Sequence, residues 1–135
     1  MSHGYILDTD TVYFYLKNKE TVVEKLKEVI KKENSIGITI ITHYEILSGL
    51  KFKYSEKYLK SYLNFSQEIH IYPLSEKSIE ASSDLYASLR KKGNALDDID
   101  LLIAGIAIET KHILVTGNTS HFKRIKGLKI ENWNQ

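Results

Sequence analysis

Short runs rich in apolar and β-branched residues alternate along this chain with longer segments that carry apolar residues at helical spacing. Runs of the first kind predict strands, and amphipathic segments of the second kind predict helices. Where strands and helices alternate, the helices connect parallel strands and cover both faces of the sheet. The sequence therefore predicts a three-layer α/β/α sandwich around a mostly parallel central sheet.

The predicted strands cover residues 4–7, 35–41, 68–72, 112–115 and 128–130, and the loop after the fourth strand covers 116–121. The predicted helices cover residues 10–17, 20–32, 42–50, 54–65, 75–92 and 98–110. Several ends are assigned from capping residues. Thr9 or Asp10 caps the first helix, and Asp97 or Asp98 caps the last. Thr42 caps the third helix, and Glu45, three residues later, completes a capping box.

The composition limits the function classes that remain open. At 135 residues, with 42% hydrophobic and 27% charged residues, the chain is expected to form one globular domain, residues 1–135. Because cysteine is absent, a disulfide framework, a thiolate nucleophile and a cysteine metal site are excluded. No apolar run is long enough to cross a membrane and no signal-like segment is visible, so we expect a soluble, cytoplasmic protein.

The net charge of +2 is too small to indicate a nucleic-acid partner by itself. Basic residues do form local groups, which are most often simply solvated surface. These groups are Lys51 with Lys53, residues 90–92, and Lys123 with Arg124 and Lys126.

Three carboxylates fall where a parallel sheet binds ligands. Asp8 follows the first strand, Glu45 lies just after the second, and Asp100 lies in the first turn of the last helix. Ligands of such sheets bind outside the carboxyl ends of the strands. Clustered carboxylates raise one another's pKa unless a cation neutralises them, and oxygen ligands favour Mg²⁺ or Mn²⁺ over zinc.

Each carboxylate also has a purely structural interpretation. Asp8 can be a turn residue or a helix cap, Glu45 can be half of a capping box, and Asp97 can be a cap that complements the helix dipole. Asp100 is the hardest to explain in this way. It interrupts a nearly continuous apolar run over 99–107, where a carboxylate needs a partner.

Four segments in order along the chain resemble the PIN-domain pattern, and more narrowly the VapC-type toxins of toxin–antitoxin pairs. They are Ile6-Leu-Asp-Thr-Asp10, Ile41-Thr-His-Tyr-Glu-Ile-Leu47, Asp100-Leu-Leu-Ile-Ala-Gly105 and Leu114-Val-Thr-Gly-Asn-Thr-Ser-His-Phe122. The resemblance implies a PIN-like fold and an Mg²⁺- or Mn²⁺-dependent endoribonuclease. It also implies that Asp8, Glu45 and Asp100 are the catalytic and metal-binding acids, and that Thr9 is the small hydroxyl residue that follows the first of them.

The chain departs from this pattern at the fourth acidic position. The loop from Thr116 to Phe122 contains no carboxylate, so Asn118 is the nearest candidate and His121 occupies the usual acidic place. Asp97 is an alternative if the last helix begins early enough, and Thr116 is a further candidate. We therefore expect one firmly held cation and a second that depends on the substrate.

The resemblance also implies partners. These are an RNA substrate, a small antitoxin protein that occludes the site, and a second copy of the chain in a homodimer built from the first helices. The segment 55–65 carries more apolar side chains than an exposed helix needs. Either a dimer interface or packing on the chain's own core would explain it.

Two other functions compete with this one. The segment 8–12 also matches the signature of haloacid-dehalogenase-like phosphatases, with Asp8 as nucleophile and Asp10 as general acid/base. Thr42 and the segment 93–98 would supply the later motifs, but the residues before Gly93 resemble a helix end, and Glu45 would have no role. The third possibility, a PIN-like binding module without catalysis, rests on the missing fourth acid.

Overall fold

The computed structural model describes residues 4–135, and within them the chain forms five strands and seven helices in the predicted alternation. The strands are β1 (Gly4–Leu7), β2 (Ser35–Thr39), β3 (His70–Tyr72), β4 (Ile113–Val115) and β5 (Ile130–Glu131). The helices are α1 (Thr9–Leu16), α2 (Glu20–Lys31), α3 (Ile40–Phe52), α4 (Glu56–Gln67), α5 (Glu76–Lys91), α6 (Asp98–Thr110) and α7 (Thr119–Phe122).

All strand pairs of the sheet are parallel, in the order β3-β2-β1-β4-β5. The central strand β1 pairs with β2 on one side and with β4 on the other, so the chain winds outward from β1 in both directions. Such a reversal opens a crevice at the carboxyl ends of the two central strands. Asp8 follows β1 and Thr116 follows β4 at this point.

Two hydrophobic cores lie on opposite faces of the sheet, which confirms the three-layer prediction. Side chains alternate across a strand, so the neighbours Ile6 and Leu7 of β1 enter different cores. Helices α1 to α4 cover the Leu7 face and α5 with α6 cover the Ile6 face. Helix α6 is buried along most of its length, which explains the apolar run around Asp100.

The predicted caps of α1 and α3 are wrong. Asp8 caps α1, because its side chain accepts a hydrogen bond from the Thr9 N–H. Thr39 caps α3 by accepting from the Thr42 N–H, so β2 ends two residues earlier than predicted and the capping box with Glu45 does not form. Glu45 instead lies in the second turn of α3, with its carboxylate free of any capping role.

The apolar residues of α4 are mainly core residues. Tyr62 and Phe65 are buried, Tyr58 and Leu59 pack against the same core, and Leu63 is exposed. Packing on the chain's own core therefore explains most of this segment. The predicted loop at 116–121 includes the short helix α7. Within residues 4–135, no helix combines the length and the apolar character needed to span a membrane.

Candidate active site

A solvent-accessible pocket of about 540 Å³ opens at the crevice beside β1 and β4. It brings together the three predicted carboxylates, which arrive on different elements: Asp8 from the cap of α1, Glu45 from α3 and Asp100 from α6. The other lining residues are Thr9, Asp10, Tyr13, Ile99, Gly117 and Asn118. A larger cavity between α2 and α4 has Glu68 as its one acidic lining residue. The chemistry of the carboxylates therefore points to the smaller pocket.

Asp8 lies deepest in this pocket, with 7% of its surface exposed. Its Oδ1 accepts from the Thr9 N–H at 2.9 Å and its Oδ2 accepts from the Thr116 hydroxyl at 2.8 Å. Burial raises the pKa of Asp8 from 3.8 to about 7, and the negative charges of Asp10 and Asp100 add to this rise against the two hydrogen bonds. Asp8 is therefore a carboxyl group whose negative charge is poorly compensated by the protein.

Glu45 is held by the hydroxyl group next to Asp8. Thr9 Oγ1 donates to Glu45 Oε1 at 2.6 Å and also lies 3.1 Å from Thr42 Oγ1. Burial and the nearby Glu45 charge both raise the pKa of Tyr13. Thr9 thus contacts one acid through its backbone N–H and another through its side chain, which fixes their relative position.

Asp100 faces the loop that lacks an acid. Its Oδ2 lies 3.2 Å from Nδ1 of His121, and the same nitrogen lies 2.8 Å from Nδ2 of Asn118. A His121 ring without a proton on Nδ1 accepts from the Asn118 amide, whereas protonation there allows donation to Asp100. Among the described residues, His121 and Asn118 therefore stand where the fourth acid was expected.

A fourth carboxylate does line the pocket, but it is Asp10 rather than Asp97. Asp10 Oδ2 accepts from the Gly117 N–H at 2.9 Å, which ties α1 to the loop after β4. Asp97 is exposed, does not line the pocket and only precedes α6, because that helix begins at Asp98. From the sequence, Asp10 was predicted only as a helix cap or as the general acid/base of a phosphatase. Its position two residues after Asp8, however, already indicates that it lies at the same edge of the sheet.

Four carboxylates in one pocket fit a hard divalent cation in charge and in donor type. Their side chains do not converge as they stand: within residues 4–135, no three acidic or histidine side chains are arranged to hold a metal ion. Each carboxylate instead contacts a group of the chain: Thr116 for Asp8, Thr9 for Glu45, Gly117 for Asp10 and His121 for Asp100. Side-chain rotation at the pocket would be needed to form a closed ligand shell.

The phosphatase alternative fails on the fold. Its late acidic motif should follow a buried strand, but residues 93–98 follow the helix α5. Asp10 also accepts its hydrogen bond from the loop after β4. Glu45 lines the same pocket, although the phosphatase mechanism gives this residue no role.

Comparisons with known proteins agree with this arrangement. The PIN-domain family model matches residues 5–128. Ribonuclease VapC2 of Rickettsia felis is 34% identical over 133 residues, covering 97% of this chain and 98% of the relative. The tRNA(fMet)-specific endonuclease VapC of Shigella flexneri is 28% identical, covering 96% of this chain and 97% of that protein.

The fold of a solved relative matches as well. The crystal structure of VapBC2 from Rickettsia felis, bound to a DNA fragment from its promoter, superimposes with a TM-score of 0.86 at 32% identity. The alignment covers 96% of this chain and 98% of that one. Family model, sequence relatives and structure agree over nearly the whole chain, and because the sequence relatives are named as nucleases they favour catalysis over the non-catalytic alternative. The chain belongs to the PIN-domain family, as one of its VapC-type ribonucleases.

Proposed function

We propose that Asp8, Glu45 and Asp100 form the catalytic centre of this ribonuclease and hold the metal ion on which PIN-domain nucleases depend, with Asp10 as a supporting acid. The observation that carries this proposal is the meeting of carboxylates from α1, α3 and α6 in one pocket. Mg²⁺ or Mn²⁺ is the ion that such oxygen ligands favour. A bound ion of this kind supplies positive charge that polarises the scissile phosphate.

One residue of the chain accounts for the proton transfer from the attacking water. Glu45 is the residue that we expect to accept a proton from the attacking water, and the hydrogen bond from the Thr9 hydroxyl that orients its carboxylate supports this role. The water oxygen forms the new bond to phosphorus, the bond to the ribose 3′ oxygen breaks, and that oxygen takes a proton from solvent. Because water attacks rather than the ribose 2′-hydroxyl, the products carry 5′-phosphate and 3′-hydroxyl ends.

The test is cleavage of total RNA in Mg²⁺ or Mn²⁺, with the new 5′ ends mapped. Asp8→Asn, Glu45→Gln and Asp100→Asn should each abolish the new ends. Asp97→Asn is the matched control, because it also removes a carboxylate near the start of α6 but lies outside the pocket. RNA cleavage that survives Asp8→Asn would contradict the proposal.

Transfer RNA is the substrate class that we propose for the first assay. The relatives from Shigella flexneri and Salmonella typhimurium are named tRNA(fMet)-specific endonucleases, at 28% and 29% identity over almost the whole chain. A purified tRNA pool separates two outcomes. Discrete Asp8-dependent fragments support this class, whereas cleavage confined to other RNAs excludes it.

An antitoxin and a second copy of the chain are the proposed protein partners. The support for an antitoxin is that the solved relatives are toxin–antitoxin complexes and that the acidic pocket attracts an Arg or Lys side chain. The resemblance places a homodimer on the first helices, whereas the exposed apolar side chains that support one here, Ile79 and Tyr86, lie on α5. Light scattering of the purified chain tests the dimer, and Ile79→Glu should convert a dimer into a monomer.

A further inference from the structure

Basic and aromatic residues alternate in the segment Lys51–Tyr54, which ends α3 and enters the turn before α4. Phe52 is 84% exposed and Tyr54 is 92% exposed, although rings of this size usually bury most of their surface. Tyr54 also has a φ of 51°, in the left-handed region that is costly for a residue other than glycine. The chain thus holds two large rings in solvent, in alternation with two lysines.

This segment continues the wall of the active-site pocket. Phe52 follows Glu45 by seven residues, two helical turns, so both lie on one side of α3 about 10 Å apart along its axis. Tyr13 lines the pocket and packs its hydroxyl against Gly49, where an added Cβ would lie 2.5 Å away. The Lys53 ammonium in turn lies 6.0 Å from the centre of the Tyr13 ring. Tyr13 therefore links the pocket to Lys53 of the segment.

The charges of the segment complement a polyanion. Three lysines in or directly after α2 form ion pairs with glutamates of that helix; they are Lys25, Lys27 and Lys32. Lys51 and Lys53, in contrast, form no ion pair within residues 4–135. The positive charge of Lys53 lies over Tyr13, at the wall of a pocket whose four carboxylates would otherwise repel phosphate groups, and Lys51 adds a second charge two residues earlier.

We propose that Phe52 and Tyr54 stack on unpaired bases of RNA next to the scissile phosphate, while Lys51 and Lys53 hold the neighbouring phosphates. Every base has an apolar face that an exposed ring can cover, and lysines contact phosphates without reading the sequence. The segment would therefore place single-stranded RNA across the pocket rather than select a particular base. This inference rests on the proposed ribonuclease function, because it assigns substrate-positioning residues to that site.

The test measures RNA binding apart from cleavage. A fluorescein-labelled 12-nucleotide oligouridylate and an RNA duplex of the same length are titrated with full-length protein in EDTA, and fluorescence anisotropy gives Kd. Phe52→Ala combined with Tyr54→Asn should raise Kd for the single strand about tenfold or more. Asparagine is chosen at position 54 because it tolerates the left-handed backbone. Binding to the duplex should change little, since its bases are already stacked.

Matched variants separate stacking from charge and from folding. Phe52→Tyr combined with Tyr54→Phe retains both rings and should bind like the wild type. Lys51→Gln with Lys53→Gln should weaken single-strand binding and flatten its salt dependence, by a slope of about 1.4 for the two lost phosphate contacts. Lys57→Gln with Lys60→Gln, which removes the same charge from α4, should have little effect. Unchanged thermal unfolding shows that each variant is folded.

The outcomes distinguish this proposal from the proposed function. An unchanged single-strand Kd in the double aromatic variant would overturn the stacking role, even where Asp8→Asn abolishes cleavage. A shift from dimer to monomer in that variant, with RNA binding intact, would assign the segment to a contact between two copies and would also overturn it. Cleavage that survives Asp8→Asn would instead contradict the proposed site, whatever the aromatic residues do.

Discussion

Replacing Asp8 by Asn should stabilise the metal-free protein above neutral pH, although it removes a proposed catalytic residue. Burial raises the pKa of Asp8 from 3.8 to about 7, so ionisation is easier in the unfolded chain than in the folded one. Asparagine is neutral, accepts the Thr9 N–H hydrogen bond equally well and faces a Thr116 hydroxyl that can also accept. The variant therefore keeps the contacts and loses the buried charge.

The pH dependence follows from the direction of that shift. Below about pH 4, Asp8 is protonated in both the folded and the unfolded chain, so it does not lower the free energy of unfolding. Between about pH 4 and 7 it ionises only in the unfolded chain, so wild-type stability falls as pH rises through this window. One pKa unit corresponds to about 1.4 kcal/mol, which sets a ceiling of about 4 kcal/mol at pH 8. Water entry and side-chain relaxation reduce this to about 2–4 kcal/mol.

The assay is thermal and urea unfolding, followed by circular dichroism in EDTA at pH 4 and pH 8. At pH 8 Asp8→Asn should raise Tm by roughly 6–12 °C, and at pH 4 the two proteins should unfold together. Asp97→Asn, an exposed substitution, should change Tm little at either pH. Excess Mg²⁺ should stabilise the wild type more than the variant. An Asp8→Asn protein that is no more stable than the wild type at pH 8 would refute the reasoning.

Three further predictions concern other contacts. Thr9→Val removes the hydroxyl that orients Glu45 and should lower kcat about tenfold or more in a cleavage assay, while Thr9→Ser should retain activity. Asn118→Asp adds a carboxylate to the pocket; calorimetry should show tighter Mn²⁺ binding, and metal-free unfolding should show lower stability. Gly105→Ala should destabilise the chain by about 1–3 kcal/mol in urea, because the new methyl group meets Ser82 and the Ser78 carbonyl where α5 packs on α6.

The sequence predicted the layers of this fold because they depend on local patterns. Each predicted strand and helix is present, the short helix α7 was not predicted, and the other differences lie at the ends of elements. The difference that replaces predicted strand by helix is at Ile40 and Ile41, which extend the apolar run of β2 but belong to α3. A short apolar run does not distinguish a strand from the first turn of a buried helix. The hydroxyl of Thr39 decides the boundary, and Thr42 looked equally suitable as a cap.

The candidate site was predictable only in part, since its remaining residues depend on contacts between distant segments. Asp8, Glu45 and Asp100 could be proposed from their places after strands and inside an apolar helix. The role of Asp10 depends on the backbone of Gly117, more than a hundred residues away, which reaches it only because β4 pairs with β1. The order of the strands in the sheet decides this pairing. The residue pattern of a single strand does not indicate that order.

In the proposed catalytic centre, the poorly compensated charge of Asp8 is expected to link catalysis, stability and inhibition. Asp8 keeps its place through Thr9 and Thr116, but these two hydrogen bonds do not offset its burial and its acidic neighbours. Any ligand that brings positive charge to the pocket therefore gains binding free energy and stabilises the fold. A divalent ion and a basic antitoxin side chain would draw on the same carboxylates. Their binding should consequently be competitive, so that an antitoxin of this kind excludes the ion as well as the RNA.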